Sequence, residues 1–83
     1  MNKVMEFDGY TFWIAEDDVL PPRVRVHYAG TWCWIVIGYE DHQPPYVMEW
    51  EDMRWTDAGR AVWIVNGCQE LLLAHWRRYN AQA

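Results

Sequence analysis

From residue 23 the chain reads Arg23-Val24-Arg25-Val26-His27-Tyr28, with polar and apolar residues in strict alternation as far as His27. A period of two belongs to a strand with one face toward a core and the other turned away. Ala29-Gly30 follows, and then Thr31 to Ile37, a run of β-branched and aromatic residues that suits a second strand. A two-residue turn between them fixes the register. It sets Tyr28 opposite Thr31, His27 opposite Trp32, Val26 opposite Cys33, Arg25 opposite Trp34 and Val24 opposite Ile35. A three-residue loop bulged at Gly30 would instead place Arg25 against Cys33, a poorer chemical match.

A second hairpin precedes this one. Asp8-Gly9 lies between apolar runs, and both central residues of such a turn need positive φ. The register then pairs Phe7 with Tyr10, Glu6 with Thr11, Met5 with Phe12 and Val4 with Trp13. Glu16-Asp17-Asp18 opens a polar loop closed by Pro21-Pro22, Glu40 to Pro45 reads as another loop, and Tyr46 to Trp50 reads as a short edge strand. From Thr56 the period changes. Thr56 or Asp57 would cap a helix, and Val65, Cys68, Leu72, Trp76 and Tyr79 fall on one helical face. Arg77 and Arg78 in its last turn favour the helix dipole. Asn66-Gly67 interrupts the segment, so either a helix from residue 57 kinks there or Arg60 to Val65 is a last strand. The expected fold is α+β, a small antiparallel sheet of three to five strands packed on C-terminal helix, as one domain over 1–83.

With 83 residues the core is thin, and seven tryptophans, five tyrosines and two phenylalanines supply most of its bulk. Cys33 and Cys68 have no metal-ligand or CxxC spacing and read as two thiols in a reducing compartment rather than as a disulfide. The N-terminus lacks a signal-peptide apolar region, and no apolar run reaches the ~20 residues of a membrane span. The expectation is a cytoplasmic protein, with no membrane association and no cofactor. Net charge is −5. Residues 1–57 carry eleven acidic against four basic side chains, and residues 58–83 carry one against three. Such an acidic body repels phosphate, so nucleic acid is a disfavoured partner, and the acids suit solubility or a basic protein partner.

The registers sort the side chains onto two faces. Met5, Phe7, Tyr10, Phe12, Ile14, Val24, Val26, Tyr28, Cys33, Ile35 and Ile37 form the core face, against which the helix packs. Val4, Glu6, Thr11, Trp13, Arg23, Arg25, His27, Trp32, Trp34 and Val36 form the outer face, with Arg25 expected on Trp34 and His27 on Trp32 as cation–π pairs. Tryptophan and arginine dominate interface hot spots, so this face is the candidate docking surface. The alternative is that residues 40–56 fold over it, with Trp50 and Trp55 packing on Trp32 and Trp34 as a second core. Burial by a second copy, a homodimer, is a further way to hide it.

Groups that would carry chemistry are sparse. His27, His42 and His75 share no ligand spacing, so no metal is expected, and Glu40-Asp41-His42 reads as surface charge. Cys33 alternates with tryptophans and reads as packing rather than as a nucleophile. The glycines are isolated turn residues, not a phosphate cradle. Arg23, Arg25 and His27 on one strand face would suit a weak ribonuclease, with His27 as general base and the arginines holding phosphate. The tryptophan face would also suit single-stranded nucleic acid by stacking, against the net charge.

Three stretches carry a resemblance. Gly9-Tyr10-Thr11-Phe12-Trp13 leads into an aromatic strand, Pro21-Pro22 with Val24, Val26 and Tyr28 follows a PPHxHxxY pattern, and Glu70-Leu71-Leu72-Leu73-Ala74-His75-Trp76 closes in a leucine-rich helix. In that order they resemble the small bacterial domain-of-unknown-function family 4160, over most of the chain except residues 39–56. Arg23 and Arg25 stand where the signature has histidines, so any metal or acid–base role of those histidines would be lost here. The resemblance implies helix, not strand, across 57–65. It also implies a component of toxin–antitoxin-type gene pairs.

The combined expectation is a small acidic, non-enzymatic protein that inhibits or neutralises a protein partner, antitoxin-like or akin to a phage anti-defence inhibitor of a CRISPR complex. Trp13, Arg23, Arg25, His27, Trp32 and Trp34 would bind the partner. The acidic segments 16–18 and 40–52, Glu16, Asp17, Asp18, Glu40 and Asp41 among them, would steer its basic surface.

Overall fold

The computed structural model describes residues 1–39 and 43–80. Five strands, β1 (Asn2–Phe7), β2 (Tyr10–Ile14), β3 (Arg23–Tyr28), β4 (Thr31–Val36) and β5 (Tyr46–Glu51), form one antiparallel meander in sequence order. Two helices follow, α1 (Trp55–Gly67) and α2 (Gln69–Tyr79). The architecture is α+β, a five-stranded antiparallel sheet with a C-terminal helical layer. Among the described residues no helix is long and apolar enough to cross a membrane.

Both hairpins turn as their sequences require. Asp8 and Gly9 have φ of 53° and 84°, and Ala29 and Gly30 have 50° and 79°, the positive values of primed two-residue turns. The β3–β4 register carries all five expected pairs and adds Arg23 opposite Val36. β1 departs from expectation at one point. Past the Met5–Phe12 pair a bulge at Val4 sets Lys3, not Val4, opposite Trp13. The extra residue turns Val4 toward the core, against which it packs half-buried.

The core lies between the inner sheet face and the helices. Phe12, Ile14, Val24, Val26, Cys33 and Ile35 from the sheet meet Ala58, Ala61, Ile64, Val65, Leu72 and Trp76 from the helices. Phe7, expected on this face, is half exposed: it ends the edge strand and borders an open groove beside Trp63 and Ile64.

The helical segment begins earlier than its sequence signal. Arg54, extended at φ −67° and ψ 148°, precedes the first turn, and its carbonyl accepts the Ala58 N–H at 2.9 Å. Neither Thr56 nor Asp57 caps it, and Asp57 lies in the first turn, where its charge suits the dipole. Residues 60–65 are helical, as the resemblance implied, and the break falls at Cys68, just after Asn66-Gly67. The interruption expected at Asn66-Gly67 is thus a break between two helices, not a strand-to-helix junction. Val65, Leu72 and Trp76 are buried on the expected face, with Cys68 and Tyr79 at its margin.

Three polar side chains tie the helices to the sheet and its loops. The Tyr10 hydroxyl donates to the Asp57 carbonyl at 2.9 Å. The buried Gln69 side chain donates to the carbonyls of Ile37 and Gln43 at 3.0 and 3.1 Å. Asn80, also buried, accepts the Asp18 N–H at 2.8 Å and donates to the carbonyls of Ala15 and Trp76 at 3.1 and 2.9 Å. Gly38, at φ 78°, belongs to the same closure: a Cβ there would fall on the Gln43 carbonyl oxygen.

Candidate functional site

β3 is the middle strand of the sheet, so its outward side chains occupy the centre of the outer face. Arg25 has Trp13 of β2 directly opposite on one side and Trp34 of β4 on the other. Both arginines lean one step along β4 rather than straight across. The Arg23 guanidinium lies 4.6 Å from the centre of the Trp34 ring. That of Arg25 lies 4.4 Å from Trp32 and 5.8 Å from Trp34. His27 is tilted against Trp13, ring centres 5.8 Å apart, instead of packing on Trp32. The diagonal lean follows from strand twist, which brings offset cross-strand neighbours within reach of long side chains. The result is an interleaved ladder of Arg23, Trp34, Arg25 and Trp32 whose members are all half-buried.

The described part of the alternative cover, residues 43–56, does not stack over this face. Tyr46–Glu51 continues the sheet as an edge strand, with Trp50 opposite Cys33 and hence on the helix side. Trp50 packs edge-on against Trp55 at 4.7 Å, away from the ladder. What β5 presents beside the ladder is acidic: Glu49 is opposite Trp34 and Glu51 opposite Trp32, and the Glu51 carboxylate accepts the Trp32 indole N–H at 3.2 Å. Val36, expected on the outer face, is fully buried outside the main core cluster.

The acidic loop reaches only part of the site. The Asp17 carboxylate binds Arg23 at 2.9 Å. Glu16 accepts the Asn2 side-chain amide, and Asp18 is held by its backbone at Asn80. Glu40 and Asp41 lie outside the described residues. The three basic side chains of the face thus have separate surroundings: Arg23 sits on Trp34 and Asp17, Arg25 between Trp32 and Trp34, and His27 on Trp13.

Charge states follow from burial. Desolvation, with the neighbouring Arg25 charge second, lowers the His27 pKa below its ordinary value, so the ring is neutral at pH 7. Burial pushes the Cys33 thiol up to about 11, which removes thiolate character at neutral pH. Both cysteines are free.

A second feature escaped the strand and helix periodicities. Met5, Phe7, Trp63, Ile64 and Cys68 line an apolar groove of about 360 Å³ between β1 and the junction of the helices. Trp63 stands two-thirds exposed beside the buried stripe of α1. A tryptophan one position off the buried face was the available signal. No family model matches the chain, and neither a curated protein nor a solved structure matches it.

Proposed function

We propose that this chain is a small acidic, non-enzymatic binding protein that inhibits or neutralises a protein partner, docking through the outer face of its sheet. One observation carries the reading. The helices cover one sheet face only, and the described residues leave on the other a central ladder of Arg23, Arg25, Trp32 and Trp34 flanked by Trp13 and His27. Rigid aromatic rings interleaved with guanidinium groups are the composition of interface hot spots, and their mutual stacking limits the side-chain entropy lost on docking. Asp17, Glu49 and Glu51 rim the ladder and favour a basic surrounding surface on the partner. An antitoxin or a phage anti-defence protein belongs to this physical class.

The test is affinity capture from host lysate with wild type beside the Trp34→Ala, Arg25→Ala double variant, with far-UV circular dichroism on both. The expected result is a defined partner retained by wild type and lost by a folded variant. A partner retained equally by both would move the interface elsewhere, with the Trp63 groove the next surface to alter.

A further inference from the structure

Resting on that docking reading, we propose that Arg25 receives a carboxylate, an Asp or Glu side chain of the protein partner, entering between Trp32 and Trp34. Of the three basic groups on the outer face, Arg23 already has the Asp17 carboxylate at 2.9 Å and His27 lies against Trp13. The Arg25 side chain has neither an ion pair nor a hydrogen bond among the described residues. Its Nε is shut off from solvent without a hydrogen-bond partner, while the residue as a whole is only half-buried. A guanidinium partly stripped of water and lacking a counter-ion is a standing electrostatic cost, which an incoming anion offsets. The guanidinium itself is already held against Trp32 at 4.4 Å and Trp34 at 5.8 Å, so the planar fork is set before any ligand arrives. Two parallel N–H donors match one carboxylate.

The surroundings choose among anions. Asp17, Glu49 and Glu51 stand around the ladder, and the chain carries −5 overall. A polyphosphate backbone meets that rim at every step, whereas a single carboxylate flanked by lysine or arginine satisfies both centre and rim. The partner segment is therefore of mixed charge, with one acid between bases and an apolar residue for the tryptophan walls.

The experiment is panning of a random-peptide display library on the wild-type protein. Selected peptides are then resynthesised with each Asp or Glu changed to Asn or Gln, and binding is followed by tryptophan fluorescence to wild type, Arg25→Ala, Arg25→Lys and Trp34→Ala. A labelled single-stranded oligonucleotide is titrated alongside. The expected peptides share one acid with basic neighbours. The acid-to-amide change weakens binding to wild type at least about tenfold, and on Arg25→Ala it has no further effect. Arg25→Lys, which keeps charge and stem, loses several-fold and guards against misreading an unfolded variant. Peptides that depend on Trp34 but tolerate the amide overturn the carboxylate while leaving the docking face standing. Peptides indifferent to both Trp34→Ala and Arg25→Ala, or a library without binders, overturn the docking reading itself. An oligonucleotide that outcompetes the peptides and depends on Arg25 replaces the carboxylate with phosphate.

Discussion

Along β3, Val24 and Val26 point into the helical layer, while Arg23, Arg25 and His27, each one residue away, lie among tryptophans on the opposite side. The same backbone serves both faces, but the means of ordering differ. The inner face is ordered by exclusion of water, and its side chains have no freedom left. The outer face is ordered by rings and guanidinium planes that shield one another without being covered. The first arrangement holds the fold, and the second leaves an ordered surface that the helices do not cover, the one proposed for docking.

The largest effect separating the two faces is expected at Phe12, which is fully buried. Phe12→Ala should cost about 3–5 kcal/mol, read as a drop in denaturation midpoint. Arg25→Ala should cost no more than about 1 kcal/mol. Equal losses would mean that the outer face is as structural as the inner one. Next is Asn80, the clip shared by the strand β2 end, the acidic loop and α2. Asn80→Ala strands one N–H and two carbonyls and should cost about 1–3 kcal/mol in the same assay. A double-mutant cycle over Arg25→Ala and Trp32→Ala should give about 0.5–1 kcal/mol of coupling, and zero coupling would dissolve the ladder as an ordered object.

A smaller effect tests how bare the Arg25 charge is. The folded state holds His27 neutral below the pH at which the unfolded chain takes up its proton, because its folded pKa lies under the ordinary 6.5. Its contribution to stability is therefore complete above about pH 6.5, falls as pH drops from there toward the folded pKa, and levels off below it. Removing Arg25 should move the His27 pKa back up, followed by NMR titration of the ring. A pKa that stays in place would mean that Arg25 is already neutralised. The mildest contrast is chemical. Cys33 should resist alkylation in the native protein, and Cys68, at the margin of the groove, should react first.

Much of this was legible in the residues. The alternation at 23–28 and the two dipeptide turns determine which side chains share a face, because a one-residue slip would invert every position. Trp13, Arg23, Arg25, His27, Trp32 and Trp34 were therefore gathered correctly onto one surface. The expected Arg25–Trp34 contact is present at 5.8 Å, but the closer Arg23–Trp34 and Arg25–Trp32 contacts and the seat of His27 on Trp13 were not legible, since strand twist decides them and leaves no mark at any single residue. The bulge at Val4 was equally silent: the residue is as apolar as a core position and as β-prone as an outer one. The start of α1 at Trp55 went against the capping signals at Thr56 and Asp57. Arg54, whose carbonyl begins the helix, carries no side chain that announces the role.

The bulge has a counterpart on the far side. β5 breaks register opposite Trp34 and Ile35, so the first and the last strand of the meander are both kinked. The β-branched and aromatic run Thr31 to Val36, of the kind that favours cross-β stacking, lies inside the sheet with a neighbour on each side. A foreign strand seeking to extend the array would meet a broken ladder at either margin, where its amides fall out of step with their acceptors. For a chain with so many exposed aromatic rings, the two register breaks work against edge-to-edge accretion.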